Sequence, residues 1–214
     1  MKNIIIIGAG GVGRETAWII EQINLRKPTW SIVGFIDDNK DIWNKKVNGY
    51  KVIGGINCLD NINKDIYVII AIANYKIKKK IVNIINNRFK FASIIHPDVY
   101  LNNTINIGEG TIIYPGVIIT TNVEIGSHVI VSSKCGIGHD SKIKDYVSLL
   151  WNVNISGFDI IEEGCLIGSG ATIIQNKKID NYSIIGAGSV IIKNVKEKCT
   201  VVGIPGEVIK NKND

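Results

Sequence analysis

An aliphatic residue occurs at every sixth position from Ile95 to Ile191 without interruption. An α-helix repeats its buried face every 3.6 residues and a half-buried strand every second residue, so neither alone produces this period. Six is a multiple of two, and short strands joined by tight corners can therefore carry it, with one large side chain per hexad in a shared interior. The period predicts a hexapeptide β-helix.

The remaining hexad positions agree with this prediction. The residue after the aliphatic is repeatedly glycine, as at Gly108 and Gly138, where the chain needs either φ/ψ freedom or a close backbone approach. The fourth residue after it is small or β-branched, as at Thr111 and Ser141, and fits between stacked coils. A parallel sheet with helical crossovers is the alternative, but no segment between residues 100 and 195 has the length or periodicity of a crossover helix.

The first 93 residues follow a different pattern, in which strands alternate with helices. The predicted strands cover residues 2–7, 31–36 and 66–73, and the predicted helices cover residues 14–23 and 76–87. Such alternation is typical of an α/β fold. The predicted fold class is therefore α/β plus all-β, with a small Rossmann-like domain over residues 1–93 and a β-helix domain with a C-terminal tail over residues 94–214.

A glycine-rich turn, Gly8-Ala9-Gly10-Gly11-Val12-Gly13, joins the first strand to the first helix. A G-x-G-x-x-G sequence in this place offers backbone N–H groups and a helix N-terminus to a phosphate. Asp37 and Asp38 end the second strand, where an acidic residue can bind hydroxyl groups, and Asn74 ends the third. Only about one mononucleotide-sized half fits before the hexads, which favours a single nucleotide over a dinucleotide cofactor. A tight turn that binds nothing is the alternative.

Charge and cysteine content exclude several functions. The formal net charge is +6, but the lysines are scattered apart from Lys78–Lys80, a run more typical of a solvated helix face than of a nucleic-acid site. The four cysteines, Cys58, Cys135, Cys165 and Cys199, show no CxxC spacing, which indicates reduced buried residues rather than disulfides or metal ligands. The first strand leaves no room for a signal peptide and no apolar run could span a bilayer, so a cytoplasmic protein without a membrane partner is expected.

These features together resemble a known family. A Rossmann-like domain joined through IIHPD (Ile94–Asp98) to uninterrupted hexads is similar to the bacterial nucleotide-sugar acetyltransferases, among them UDP-4-amino-sugar and GDP-perosamine N-acetyltransferases and sialic acid O-acetyltransferases. The resemblance extends to VVGIPGEVIK (Val201–Lys210), although Gly206 and Glu207 depart from the family's usual ending. It implies a left-handed β-helix with three hexads per coil, a homotrimer, and acetyl-CoA bound between neighbouring prisms, without a metal.

The resemblance also assigns catalytic roles. His139, within GIGHDSKI, matches the family's catalytic histidine, which removes the proton of the acceptor, and Asp140 would orient its ring. With three hexads per coil, Gly157 lies one coil away in the same column and matches a glycine whose amide stabilises the thioester oxygen. His96 is expected to make local hydrogen bonds, and His128 is expected at the surface.

The remaining assignments concern the co-substrate and the acceptor. Gly168, Ser169 and Gly170 match a corner along which the pantetheine arm of acetyl-CoA runs, with a plain structural corner as the alternative. Ser148 replaces a histidine that contacts acetyl-CoA in the bacillosamine-pathway relatives. Ser132 and Ser133 stand where several relatives carry an Asn-Thr or similar polar pair near the sugar, and Trp151 is an unusual aromatic residue near the corner of Ser148. These departures indicate an altered acceptor pocket.

The implied function is acetyl-CoA-dependent N-acetylation of a nucleotide-linked amino-deoxy sugar of the UDP-4-amino-4,6-dideoxy type, by direct attack, in surface glycan biosynthesis. O-acetylation of a sialic acid or another polysaccharide precursor is an alternative. A non-catalytic hexapeptide scaffold that binds nucleotide is another, and the retained His139-Asp140 pair argues against it.

Overall fold

The computed structural model describes residues 1–211 and divides the chain into two compact units, Met1–Pro97 and a second that begins at Asp98. Within residues 1–211, no helix has both the length and the apolar character that a bilayer crossing requires.

The first unit is a small α/β sandwich. Its elements are β1 (Lys2–Ile7), α1 (Gly11–Arg26), β2 (Trp30–Ile36), β3 (Lys46–Val47), β4 (Tyr50–Gly54), β5 (Tyr67–Ile70), α2 (Tyr75–Ile85), β6 (Lys90–Phe91) and β7 (Ile94–Ile95). Six of the strands form one sheet in the order β3-β4-β2-β1-β5-β6, in which only β3 and β4 pair antiparallel. The central strand β1 is buried from Ile4 to Ile7, as a parallel strand covered on both faces should be.

The sequence pattern predicts the central strands well and the edge of this sheet poorly. Strand β1 is confirmed, and helix α1 begins three residues earlier than predicted, inside the glycine-rich turn. The β3–β4 hairpin was not predicted. Its two-residue turn, Asn48-Gly49, has positive φ at both positions (45° and 86°), which is the geometry that an Asn-Gly pair favours.

The second unit is the predicted left-handed parallel β-helix. The hexad of Leu101 forms no strand, and Leu101 is 37% exposed. From Asn106 to Ile191, one two-residue strand occurs in each hexad: β8 (Asn106–Ile107), β9 (Ile112–Ile113), β10 (Ile118–Ile119), β11 (Glu124–Ile125), β12 (Ile130–Val131), β13 (Gly136–Ile137), β14 (Lys142–Ile143), β15 (Ser148–Leu149), β16 (Asn154–Ile155), β17 (Ile160–Ile161), β18 (Leu166–Ile167), β19 (Thr172–Ile173), β20 (Lys178–Ile179), β21 (Ile184–Ile185) and β22 (Val190–Ile191). An antiparallel pair, β23 (Cys199–Val202) and β24 (Glu207–Asn211), follows.

From β8 to β19, each strand pairs with the strand three hexads later, so residues 18 apart lie in one column, as Ile119, Ile137 and Ile155 do. The prism therefore has three faces. Face I contains β8, β11, β14, β17 and β20; face II contains β9, β12, β15, β18, β21 and β23; face III contains β10, β13, β16, β19 and β22. The predicted coil of three hexads is confirmed.

Two different hexad positions shape the corners. The residue three places after the aliphatic adopts a left-handed conformation, as at Gly110 (φ 67°), Asn122 (φ 56°) and Asp140 (φ 58°). Glycines directly after the aliphatic serve close approach instead, because a Cβ on Gly138 would lie 2.6 Å from the carbonyl carbon of Ser156. Of the two reasons considered for those glycines, close backbone approach applies here.

Polar side chains four places after the aliphatic bond to the next coil. Four of them donate to the carbonyl 15 residues later: Thr111 Oγ1 to Gly126 (2.9 Å), Cys135 Sγ to Leu150 (2.9 Å), Ser141 Oγ to Ser156 (2.8 Å) and Cys165 Sγ to Asp180 (3.1 Å). Buried hydroxyl and thiol groups are thereby satisfied. All four cysteines are free thiols, and Cys135, Cys165 and Cys199 are buried.

Candidate active site

His139 and Asp140 form a side-chain pair at a corner between faces III and I. The left-handed conformation of Asp140 turns its carboxylate toward its neighbour, and Oδ2 lies 2.8 Å from His139 Nδ1. Asn122, at the same corner of the preceding coil, donates from Nδ2 to Asp140 Oδ1 at 3.1 Å. Both carboxylate oxygens are therefore held.

The hydrogen bond from His139, and then that from Asn122, holds the pKa of Asp140 below its usual value. Asp140 is thus a carboxylate at neutral pH and accepts the Nδ1 proton, which leaves the lone pair of the neutral ring on Nε2. The His139 side chain is 54% exposed, so this nitrogen can meet a substrate. The pair has the chemistry of an oriented general base.

The imidazole lies in a notch formed by the next coil. A Cβ on Gly157 would be 2.7 Å from both Cε1 and Nε2 of His139, so only glycine leaves room for the ring. Phe158 donates its N–H to the His139 carbonyl at 2.9 Å, and its ring stands edge-on to the imidazole, with centroids 5.1 Å apart. The predicted place of Gly157, one coil away in the column of His139, is confirmed.

The residues assigned to acetyl-CoA lie elsewhere on the prism. Gly168 is buried and Ser169 is exposed. Gly170 has φ 72° and donates its N–H to the Trp151 carbonyl at 2.8 Å. The three residues lie between β18 and β19 and therefore occupy a corner between faces II and III. Ser148, in β15, is 1% exposed, and its side chain is not at the surface of this chain. A single chain does not bring these residues to the corner of His139.

Two expectations about exposed residues are wrong. His128 is 3% exposed and stacks on Tyr146 with ring centroids 5.3 Å apart, because Gly110 in its column has no side chain and leaves room for the ring. Lys78 is fully buried, and burial lowers its pKa to about 7. It lies on the face of α2 that carries Ile81 and Ile85, which a helical projection of the lysine run would have shown.

His96 is also buried, at 6% exposure, and its ring centroid lies 5.9 Å from that of Trp18.

The glycine-rich turn contains two kinds of glycine. Gly8 has φ 103° and donates its N–H to the Ile36 carbonyl at 2.7 Å, and a Cβ on Gly13 would overlap the Gly8 carbonyl. The turn itself therefore needs these two glycines. A Cβ on Gly10 or Gly11 would meet nothing within 4 Å, so the fold of this unit does not need them.

The two acidic residues after β2 have different roles. Asp37 accepts the N–H of Ala9 on Oδ2 at 2.8 Å and that of Asn39 on Oδ1 at 2.9 Å, so it ties the glycine-rich turn to the end of β2. Asp38 is exposed and uses Oδ1 to accept the N–H of Ile56 at 2.9 Å. Both aspartates line a cleft of about 210 Å³ beside Gly8, with isoleucine side chains as its apolar wall.

Asn74 caps helix α2. Its Oδ1 accepts the N–H groups of Lys76 at 3.0 Å and Ile77 at 3.3 Å. This role of Asn74 was not predicted, although an asparagine before an amphipathic segment is a known N-cap signal. Among residues 1–211, no group of three or more His, Cys, Asp or Glu side chains is arranged to hold a metal ion.

The prism, its oriented histidine and the α/β unit define a hexapeptide-repeat acyltransferase. The family model of the PglD N-terminal domain matches residues 3–85. The GDP-perosamine N-acetyltransferase of Escherichia coli O157:H7 is 35% identical over 175 residues, which cover 79% of this chain and 77% of that relative. The chain therefore belongs to the bacterial nucleotide-sugar acetyltransferases of the hexapeptide-repeat family.

Solved structures share the whole fold. A crystal structure of a histidine mutant of perosamine N-acetyltransferase from Caulobacter crescentus, in complex with CoA and GDP-perosamine, has a TM-score of 0.88 at 20% identity and covers 99% of this chain and 98% of that one. WeeI from Acinetobacter baumannii AYE has a TM-score of 0.86 at 26% identity and covers 98% of this chain and all of its own.

Proposed function

We propose that this protein transfers the acetyl group of acetyl-CoA to the amino group of a nucleotide-linked 4-amino-deoxy sugar, with His139 as the general base. The observation that carries the proposal is the exposed imidazole whose Nδ1 is held by the Asp140 carboxylate. A base of this kind is what attack by an amine on a thioester requires.

The proposed reaction is a direct transfer. The amine nitrogen attacks the thioester carbonyl, a C–N bond forms, and Nε2 of His139 takes the proton that the nitrogen loses. The C–S bond then breaks, and the imidazolium returns the proton to the departing thiolate. Asp140 stabilises the imidazolium while it exists. We assign the Gly157 amide to the carbonyl oxygen, because Gly157 is the residue directly beneath the ring.

The first unit would bind the nucleotide sugar. Gly10 and Gly11 have no side chains although the fold would accept them, which suits a phosphate that approaches the backbone closely. Asp38 and the adjoining cleft would hold the nucleoside. Gly8, Gly13 and Asp37 would maintain the glycine-rich turn, and Asn74 would cap helix α2. The name of the E. coli relative supports GDP-perosamine as the first candidate, with UDP-4-amino sugars second.

We also propose a homotrimer. The corner of Gly168, Ser169 and Gly170 differs from the corner of His139, so a site that uses both needs two copies of the chain. The contact of Ser148 with acetyl-CoA stays a prediction, and it requires a rearrangement around this residue because its side chain is buried within the single chain. Nucleotide sugars and acetyl-CoA are cytoplasmic metabolites, which supports the cytoplasm as the site of the reaction.

The test is a thiol-release assay with acetyl-CoA and a set of acceptors. GDP-perosamine and UDP-4-amino-4,6-dideoxy sugars carry the amine; GDP-rhamnose, which has a hydroxyl group at the same carbon, is the matched control, and free sialic acid represents the alternative reaction. We expect release only with the amines and a product heavier by one acetyl group. Release with sialic acid and none with any amine would overturn the proposal in favour of O-acetylation.

A further inference from the structure

Phe158 is an unusual residue for its position. It has φ 59°, in the left-handed region, where a bulky side chain is strained and Asn or Asp is tolerated. The same corner carries Asn122 and Asp140 in the two preceding coils and Asn176 in the following one, all with positive φ. Phe158 is also 53% exposed, so burial does not explain the choice of phenylalanine.

Other aromatic residues in left-handed corners have specific partners. Tyr146 stacks on His128, and the Tyr182 hydroxyl donates to Glu163 Oε1 at 3.0 Å. The ring partner of Phe158 is His139, at 5.1 Å between centroids and 90° between planes, a favourable edge-to-face geometry. The backbone hydrogen bond to His139 would form with any residue, so the ring contact is what phenylalanine adds.

This contact limits rotation of the imidazole plane, a motion that Asp140 and Gly157 restrict only in part. Asp140 holds one ring atom, and the torsion that turns an imidazole plane is broad. Gly157 lies close to Cε1 and Nε2 and bounds the ring only on its own side. We propose that Phe158 is a positioning residue that fixes the plane of the His139 imidazole and so aims Nε2. The kinetic consequence rests on the function proposed above.

The test variant is Phe158→Asn, which places at this corner the residue found in the neighbouring coils. Because Asn tolerates the left-handed conformation, we expect the thermal midpoint to stay within about 2 °C of the wild type. Loss of the aromatic contact should lower kcat about three- to tenfold without changing KM for either substrate. Phe158→Tyr, which keeps the ring, should retain the wild-type kcat. Lys134→Asn, at another exposed left-handed corner (φ 62°), is the matched control.

A second measurement does not depend on turnover. The chain has three histidines, so histidine-labelled protein gives few imidazole signals. We expect nuclear Overhauser contacts between the Phe158 and His139 rings and a change of the His139 ring shifts in Phe158→Asn, but not in Lys134→Asn.

An unchanged kcat in Phe158→Asn would overturn the inference, and so would an increase of the sugar KM alone, which would make Phe158 a substrate contact. If wild-type protein acetylated no amine, the proposed function would fail, whereas the ring contacts would still decide whether Phe158 fixes the imidazole.

Discussion

We expect Asp159 to make the stability of the β-helix depend on pH. The residue is fully buried, and its Oδ1 accepts the N–H of Lys177 at 2.7 Å. Its Oδ2 is buried without a hydrogen-bond partner among residues 1–211. Burial raises the pKa of the carboxyl group from 3.8 to about 6, against the lowering effect of the backbone N–H groups. A buried acceptor of this kind is costly in its charged form.

The hexad pattern indicates how the group is satisfied. Asp159 occupies the slot from which Thr111, Ser141 and Cys165 donate to the carbonyl 15 residues later. For Asp159 that carbonyl belongs to Ile174. A neutral carboxyl group has a hydroxyl that can donate in this way, whereas a carboxylate has none. We therefore expect the neutral form to fit the fold, and Asp159→Asn, with its amide NH₂, to mimic it.

The difference between a folded pKa of about 6 and the ordinary value of 3.8 is roughly two units, or about 3 kcal/mol. Because the folded-state pKa is raised, the folded chain binds this proton more tightly than the unfolded chain. The contribution of the protonated Asp159 carboxyl group to the free energy of unfolding is complete below about pH 4 and is lost as the pH rises through about 6. The asparagine in Asp159→Asn does not titrate. The free energy of unfolding of this variant, relative to that of the wild type, should therefore be higher at pH 8 than at pH 4 by up to about 3 kcal/mol.

The assay is thermal unfolding of wild type and Asp159→Asn between pH 4 and pH 8, followed by circular dichroism. Glu109→Gln, which removes an exposed carboxylate from the same unit, controls for the general charge effect. We expect the difference between Asp159→Asn and the wild type to grow mainly between about pH 4 and pH 6, the interval between the unfolded and folded pKa values, and to level off above it. A difference that does not change with pH, or that changes equally in Glu109→Gln, would refute the reasoning.

Three further outcomes follow from the described contacts. Gly157→Ala should lower kcat about tenfold or more, because its Cβ would displace the His139 ring. Gly136→Ala is the control and should leave kcat unchanged, because the nearest atom to its Cβ would be at an ordinary 3.6 Å. Equal effects of the two variants on steady-state rates would contradict this. Gly11→Ala should raise the KM for the nucleotide sugar without lowering the thermal midpoint, whereas Gly13→Ala should destabilise the first unit. An unchanged KM in Gly11→Ala would show that the glycine-rich turn has no role in ligand binding. Light scattering should give a trimer, and a fully active monomer would exclude a site shared between copies.

The architecture of the second unit follows from the sequence because one rule applies to every coil. An aliphatic at each sixth position sets the strands, and three hexads per coil then place Gly157 beside His139. The pairing of His139 with Asp140 could also be predicted from the sequence, since the two residues are adjacent.

Other features depend on neighbours that are distant in the sequence. Whether His128 is exposed is decided by Gly110 and Tyr146, each 18 residues away, and not by its own surroundings in the chain. Asp37 and Asp38 look equivalent in the sequence, but only the fold shows that Asp37 uses both oxygens on backbone N–H groups. The burial of Ser148 likewise cannot be derived from a hexad pattern that leaves its position facing outward.

The central claim is that His139 removes the proton of an amine acceptor in acetyl transfer. The most direct measurement compares wild type and His139→Ala in steady-state turnover of acetyl-CoA with a 4-amino nucleotide sugar, together with calorimetric titration of CoA. We expect kcat to fall at least about a hundredfold, as is typical when a general base is removed, while the CoA dissociation constant stays within about twofold. Near-wild-type turnover in His139→Ala would contradict the account.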